Sequence, residues 1–182
     1  MKKITWIVLM AVSVLLLVSP SVNAFTLNKK EPMRGLTCME VVVEIKSWEL
    51  KNLGLTEDMI KTDIESKLQI AGIKISSKED PLGLFGTTFL YSNINAVYNE
   101  IGFFTIDISI ELRQEVYLKR NPNISFYAIT WNDSGIECVE KNIVVQRLRS
   151  NVKKHVDNFL NDYLSVNPIQ QPTTSQTPQK GK

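Results

Sequence analysis

The amino-acid sequence predicts an α/β protein of the α+β type. The expected form is a two-layer sandwich, a mainly antiparallel sheet of about five strands with two helices on one face, in the order β-α-β-β-β-β-α. Three observations carry that expectation. Residues 102–119 (GFFTIDISIELRQEVYLK) place Phe104, Ile106, Ile108, Ile110 and Leu112 in alternation with Thr105, Asp107, Ser109, Glu111 and Arg113. That is the period of two of a strand with one dry and one wet face. Two other stretches, one from Thr56 and one from about Val139, space their apolar residues by three and four, as amphipathic helices do. Turn chemistry at Arg120-Asn121-Pro122-Asn123 and Asn132-Asp133-Ser134-Gly135 separates the β-rich runs.

The long strand is the strongest constraint. Val116 and Leu118 bring its apolar face to seven large side chains, worth ~10 to 20 kcal/mol of gross stabilisation when buried. That is comparable with the net stability of a whole domain, so the face cannot stay wet. The opposite face carries hydroxyls and both charge signs, and a sheet covered on one side only is usually antiparallel. A straight run of this length would span about 60 Å, far beyond the usual strand. A bend or bulge is therefore expected near residues 113–115, where Gln114 falls on the apolar face.

Taken in order, residues 1–24 read as a secretory signal peptide. Lys2 and Lys3 precede an apolar run over 4–18 and the small-residue site Val22-Asn23-Ala24, with cleavage after Ala24. The run is shorter than the ~20 residues of a spanning helix, so no integral membrane segment is expected after cleavage. Phe25 rather than Cys follows the site, which argues against a lipid anchor. The short dibasic start looks bacterial, and the implied address is periplasmic or secreted. Residues 25–36 form an irregular lead-in, 37–167 a single α/β domain and 168–182 a disordered tail, of which 170–182 holds no apolar residue.

Within the domain, Met39, Val41, Val43 and Ile45 alternate with Glu40, Val42, Glu44 and Lys46 as a first strand. Thr56 is placed to cap a helix whose first turn holds Glu57 and Asp58. Ile60, Ile64, Leu68 and Ala71 are its apolar stripe and Gly72 its stop. Residues 73–75 form a short strand and 87–98 a third. In the loop between them (SSKEDPLGLFG), Leu84 and Phe85 either insert into a partner or lipid surface or fold back to plug the core edge. Residues 124–131 (ISFYAITW) form the fifth strand. The last helix runs over about 139–166, with Val144, Leu148, Val152, Val156, Phe159 and Tyr163 on one stripe and Asn167-Pro168 ending it.

Composition excludes several classes of function. The leader takes Lys2 and Lys3 from the 21 basic residues and none of the 19 acids, so the exported chain has no net charge. It lacks the basic field that nucleic acid requires, and no nucleic-acid partner is expected. Cys38 and Cys138 are a candidate disulfide across about 100 residues. Cys38 shares a strand face with Glu40, Glu44 and Lys46, so the geometry of a bridge is not assured. Two cysteines and one histidine make no zinc site. No glycine-rich phosphate loop, GxSxG elbow or HExxH helix occurs, so no catalytic residue, metal or cofactor is expected. His155, beside Lys153, Lys154 and Asp157, reads as a solvated surface residue rather than a general base. Arg147, Arg149, Lys153 and Lys154 read as a solvated helix face, with a partner or headgroup site as the other reading.

The binding candidates are aromatic. With Ile124, Phe126 and Ala128 facing the core, Tyr127, Ile129 and Trp131 would emerge with Tyr117 on the wet face of the sheet, a surface for binding or self-association. The resulting expectation is an exported, non-catalytic binding or accessory module of the bacterial cell envelope. It would hold another envelope protein, an envelope component or a second copy of itself through a sheet face or edge. The alternatives are a hydrolase acting on an envelope polymer and a carrier of a small apolar ligand between sheet and helices.

Three segments resemble a recurring set in an uncharacterised family of small exported bacterial α/β proteins. They are GLTEDMIKTDIESKLQIAGIKI (54–75), LKRNPNISFYAITWNDSG (118–135) and NFLNDYLSVNP (158–168). AxTW at 128–131 and FxNDYLxxNP at 159–168 are the most specific pieces. The resemblance implies no catalytic residue. More loosely, the element order is similar to that of periplasmic envelope-assembly and transport-accessory domains, an analogy of fold and not of function.

Overall fold

The structure, a computed structural model, describes residues 29–76 and 88–168. The expected leader, the Leu84–Phe85 loop and the expected tail from Ile169 lie outside the described residues. After a 3₁₀ turn at Glu31–Met33 come β1 (Cys38–Ile45), α1 (Trp48–Asn52), α2 (Glu57–Ile70), β2 (Lys74–Ile75) and β3 (Phe89–Tyr98). The long strands β4 (Phe103–Leu118) and β5 (Asn121–Glu140) and the helix α3 (Val144–Val166) complete the chain. The fold is α+β, with one five-stranded sheet in the order β2-β1-β3-β4-β5.

The sheet is mixed, with its longer pairings antiparallel and its shorter ones parallel. β1 runs parallel to both β2 and β3, while β3, β4 and β5 form an antiparallel meander. The cause is α1–α2, a helical crossover long enough to return the chain in the direction it left. The short helix α1 was not expected. Ser47 caps it, its hydroxyl oxygen accepting from the Leu50 N–H at 3.4 Å. Thr56 caps α2 as its sequence predicts, accepting from the Met59 N–H at 3.2 Å. Gly72 ends that helix with φ of +81°, a conformation open to glycine at little cost.

Alternation puts Met39, Val41 and Ile45 of β1, Leu90 and Ile94 of β3 and Phe104 to Leu112 of β4 on one inner face. Ile60, Ile64 and Leu68 of α2, with the predicted stripe of α3, pack into the same buried cluster. The outer face is polar. The Tyr91 hydroxyl donates to Glu44, and Arg113 lies 3.7 Å from the Tyr91 ring centroid while pairing with Glu111.

β5 departs furthest from expectation. It runs through Asn132-Asp133-Ser134-Gly135, which pair with Glu111, Ile110, Ser109 and Ile108 of β4. Turn propensity there is overridden by pairing along the whole of β4, as strand context commonly does. Val139 is consequently a buried strand residue opposite Phe104, and α3 begins at Val144.

The expected irregularity lies between Leu112 and Arg113, but the extra residue is on β5. Leu112 pairs with Trp131 and Arg113 with Ile129, which leaves Thr130 unpaired. Its hydroxyl hydrogen-bonds the Leu112 carbonyl at 3.3 Å and the Gln114 side chain at 2.6 Å. A one-residue bulge reverses which face each later side chain takes. Tyr127 and Ile129 lie on the outer face and Trp131 on the inner one, so the expected outward Trp131 is corrected: it is 4% exposed.

Cys38 and Cys138 are free. β1 and β5 are separated by β3 and β4, about 14 Å across the sheet. The cysteines also sit at opposite ends of it, Cys38 before the Glu40–Phe89 pair and Cys138 beside Thr105. A bridge needs Cα atoms within about 7 Å, so the two cannot bond to each other in this fold.

Candidate functional site

Two regions emerge from this geometry, a projecting ribbon and a polar seam. β3 ends its pairing with β4 at Phe89, opposite Arg113. Beyond that point β4 and β5 continue as a two-stranded ribbon through the turn at Lys119–Arg120. Tyr117, Tyr127 and Ile129 lie on its outer face, 62%, 51% and 53% exposed, and Tyr127 packs on Phe89 with ring centroids 5.3 Å apart. Ile124 and Phe126, expected in the core, are 46% and 48% exposed, Phe126 on the other face opposite Val116. A two-stranded element with exposed apolar side chains on both faces is unusual on a lone domain.

Trp131 belongs to neither region. Its Nε1–H donates to Asp162 Oδ2 at 3.0 Å, and its ring meets Phe159 edge-on at 5.2 Å. Asp162 also binds Lys30 at 2.8 Å, while Asn167 accepts from the Gly35 N–H and donates to the Met33 carbonyl. The AxTW and FxNDYLxxNP pieces thus meet in one structural knot.

The seam was missed by sequence. On the inner face of β5, Trp131 is followed at alternate positions by Asp133, Gly135 and Glu137. α3 presents Arg147, Asn151, His155 and Asn158 to them. Glu137 accepts from Arg147 Nε at 2.8 Å and from Asn151. Asp133 accepts from Asn158 at 2.6 Å and from His155 Nδ1 at 2.8 Å, which fixes the ring proton on Nδ1. The imidazole lies over Gly135, where a Cβ would stand 3.3 Å from Cε1 and Nε2. An open groove of about 420 Å³ runs along the seam. His155 is therefore no solvated residue, its side chain being 12% exposed. The clue lay in the alternation of Asp133, Gly135 and Glu137, masked by their turn-like neighbours.

The fold holds the carboxyls of the seam ionised. Burial raises the Asp133 carboxyl, but hydrogen bonds from Asn158 and His155 outweigh it and hold the group below its ordinary range. Arg147 and then Asn151 lower Glu137. A general acid needs the opposite shift. Four strand residues also set the two acids about 13 Å apart along β5, beyond the ~5 to 10 Å of a glycosidase pair. The basic face of α3 is mostly neutralised as well. Arg149 and Lys153 both bind Asp63 of α2, at 2.7 and 3.0 Å, and Arg147 binds Glu137. Among the described residues no cluster of three or more His, Cys, Asp or Glu could hold a metal ion, and no helix is long and apolar enough to cross a membrane.

No family model matches the chain, and no curated protein matches it. Among solved structures it is similar to a minor lipoprotein from Acinetobacter baumannii, determined at 2.35 Å. Identity is 10%, coverage is 76% of this chain and 99% of that one, and the TM-score is 0.38. A likeness at that score carries no assignment of fold or function.

Proposed function

We propose that this chain is an exported, non-catalytic binding module of the bacterial cell envelope that holds a protein partner through the β4–β5 ribbon. The observation that carries the reading is the ribbon itself, with Ile129 exposed level with Phe89, the first residue of β3, and Tyr117, Ile124, Phe126 and Tyr127 exposed beyond it. β5 is also the edge strand of the sheet, so its outer backbone groups are open to an added strand. The leader in residues 1–24 supports export, and the ionised, separated acids of the seam favour binding over hydrolysis.

The test is a double substitution, Tyr127→Ser with Ile129→Ser, in the exported chain used as bait against envelope extract. Circular dichroism and thermal unfolding should match the unsubstituted protein, while a partner identified by mass spectrometry is lost. Undiminished recovery of that partner by the folded variant would rule the ribbon out as the binding element.

A further inference from the structure

We infer that the partner of the ribbon is a second copy of this chain, seated outer face to outer face about a two-fold axis. The inference rests on the binding reading above and adds the identity of the partner. Its basis is the distribution of charge along the ribbon. Near the base, Glu115 stands opposite Tyr127 on the outer face and raises the pKa of the Tyr117 hydroxyl, while Arg113 beside it is paired with Glu111. At the turn, Lys119 and Arg120 form no ion pair among the described residues. The ribbon is thus acidic at one end and basic at the other, with the two ends about 14 Å apart along the strand.

Such a bipolar element is its own complement when two copies lie antiparallel. The turn cations of each copy fall beside Glu115 and Tyr127 of the other, and the Tyr117 side chains of the two copies meet between them. A parallel arrangement would oppose like charges and is disfavoured. The two-fold makes the contact isologous and closed, so it stops at a dimer. A two-stranded face of this length buries on the order of a few hundred Å² per copy, below the ~800 Å² of a standard interface. The dimer therefore forms at high local concentration and dissociates on dilution.

Sedimentation equilibrium of residues 25–182, from micromolar to millimolar protein, tests this directly. Glu115→Lys alone, or Lys119→Glu with Arg120→Glu, should each weaken dimerisation by about tenfold or more. The triple variant, which exchanges the two ends, should restore it, and all three are surface changes whose folding circular dichroism can verify. A chain monomeric at millimolar concentration, or a dimer indifferent to both reversals, would overturn the inference. A photo-cross-linker at position 117 separates the two ideas. Capture of a different envelope protein by a monomeric chain would refute the second copy and leave the ribbon as the binding element, whereas no capture of any protein, in a chain that stays monomeric, would end both.

Discussion

Tyr127 and Trp131 stand four residues apart in a run of alternating side chains, and one residue between them decides their fates. Thr130 bulges from the ladder, so Tyr127 faces water and Trp131 packs on Phe159. Trp131→Ser should therefore cost about 3 to 5 kcal/mol of stability, whereas Tyr127→Ser should cost at most about 1 kcal/mol. Urea denaturation of the two variants checks the difference, and equal losses would contradict the bulge. Alternation was readable from sequence on either side of Thr130, and Gln114 marked the neighbourhood of the break. Which strand would supply the extra residue depends on pairing across two strands, which no local pattern records.

At the scale of elements, what was legible was what local chemistry decides. Thr56 and Gly72 bound α2 because a capping hydroxyl and a positive φ are properties of single residues. The second half of β5 was not legible, because Asp133 and Gly135 serve there as partners of α3 rather than as turn formers. The fit of His155 over Gly135 can be measured. Gly135→Ala should destabilise the protein by about 1 to 3 kcal/mol through overpacking of the imidazole. In a His155→Ala background the same change should be neutral or mildly stabilising. A double-mutant cycle in chemical denaturation gives the coupling, and additive effects would show that the ring does not rest on this glycine.

For the whole molecule, the sheet and helices are joined by acids that the fold keeps ionised. Asp63 of α2, whose side chain is 11% exposed, is lowered first by its hydrogen bond from Arg149 and then, against burial, by Lys153. Asp133 and Glu137 tie β5 to α3 in the same sense. A carboxyl with a depressed folded pKa adds stability that is fully present above its unfolded value, about 3.9 for Asp and 4.3 for Glu. That stability is lost as pH falls through the folded value. The protein should thus lose stability steeply below about pH 4. Asp63→Asn should be less stable at pH 7 and show a shallower acid limb, as read from urea midpoints at pH 7 and pH 3. The mixed sheet belongs to this scale too. A helical crossover between the first two strands was legible, but that β1 would lie between β2 and β3 and run parallel to both depends on pairing that no local pattern records.

The knot around Asn167 also sets an order of events. Lys30, Met33, Gly35 and Leu36 are fastened to Asp162, Asn167 and Tyr163, so the earliest described residues are held by the last ones. A chain made amino end first cannot complete this fastening until α3 is made. A chain cut short within α3 would lose these ties between residues 30–36 and the helix, however well its sheet had formed.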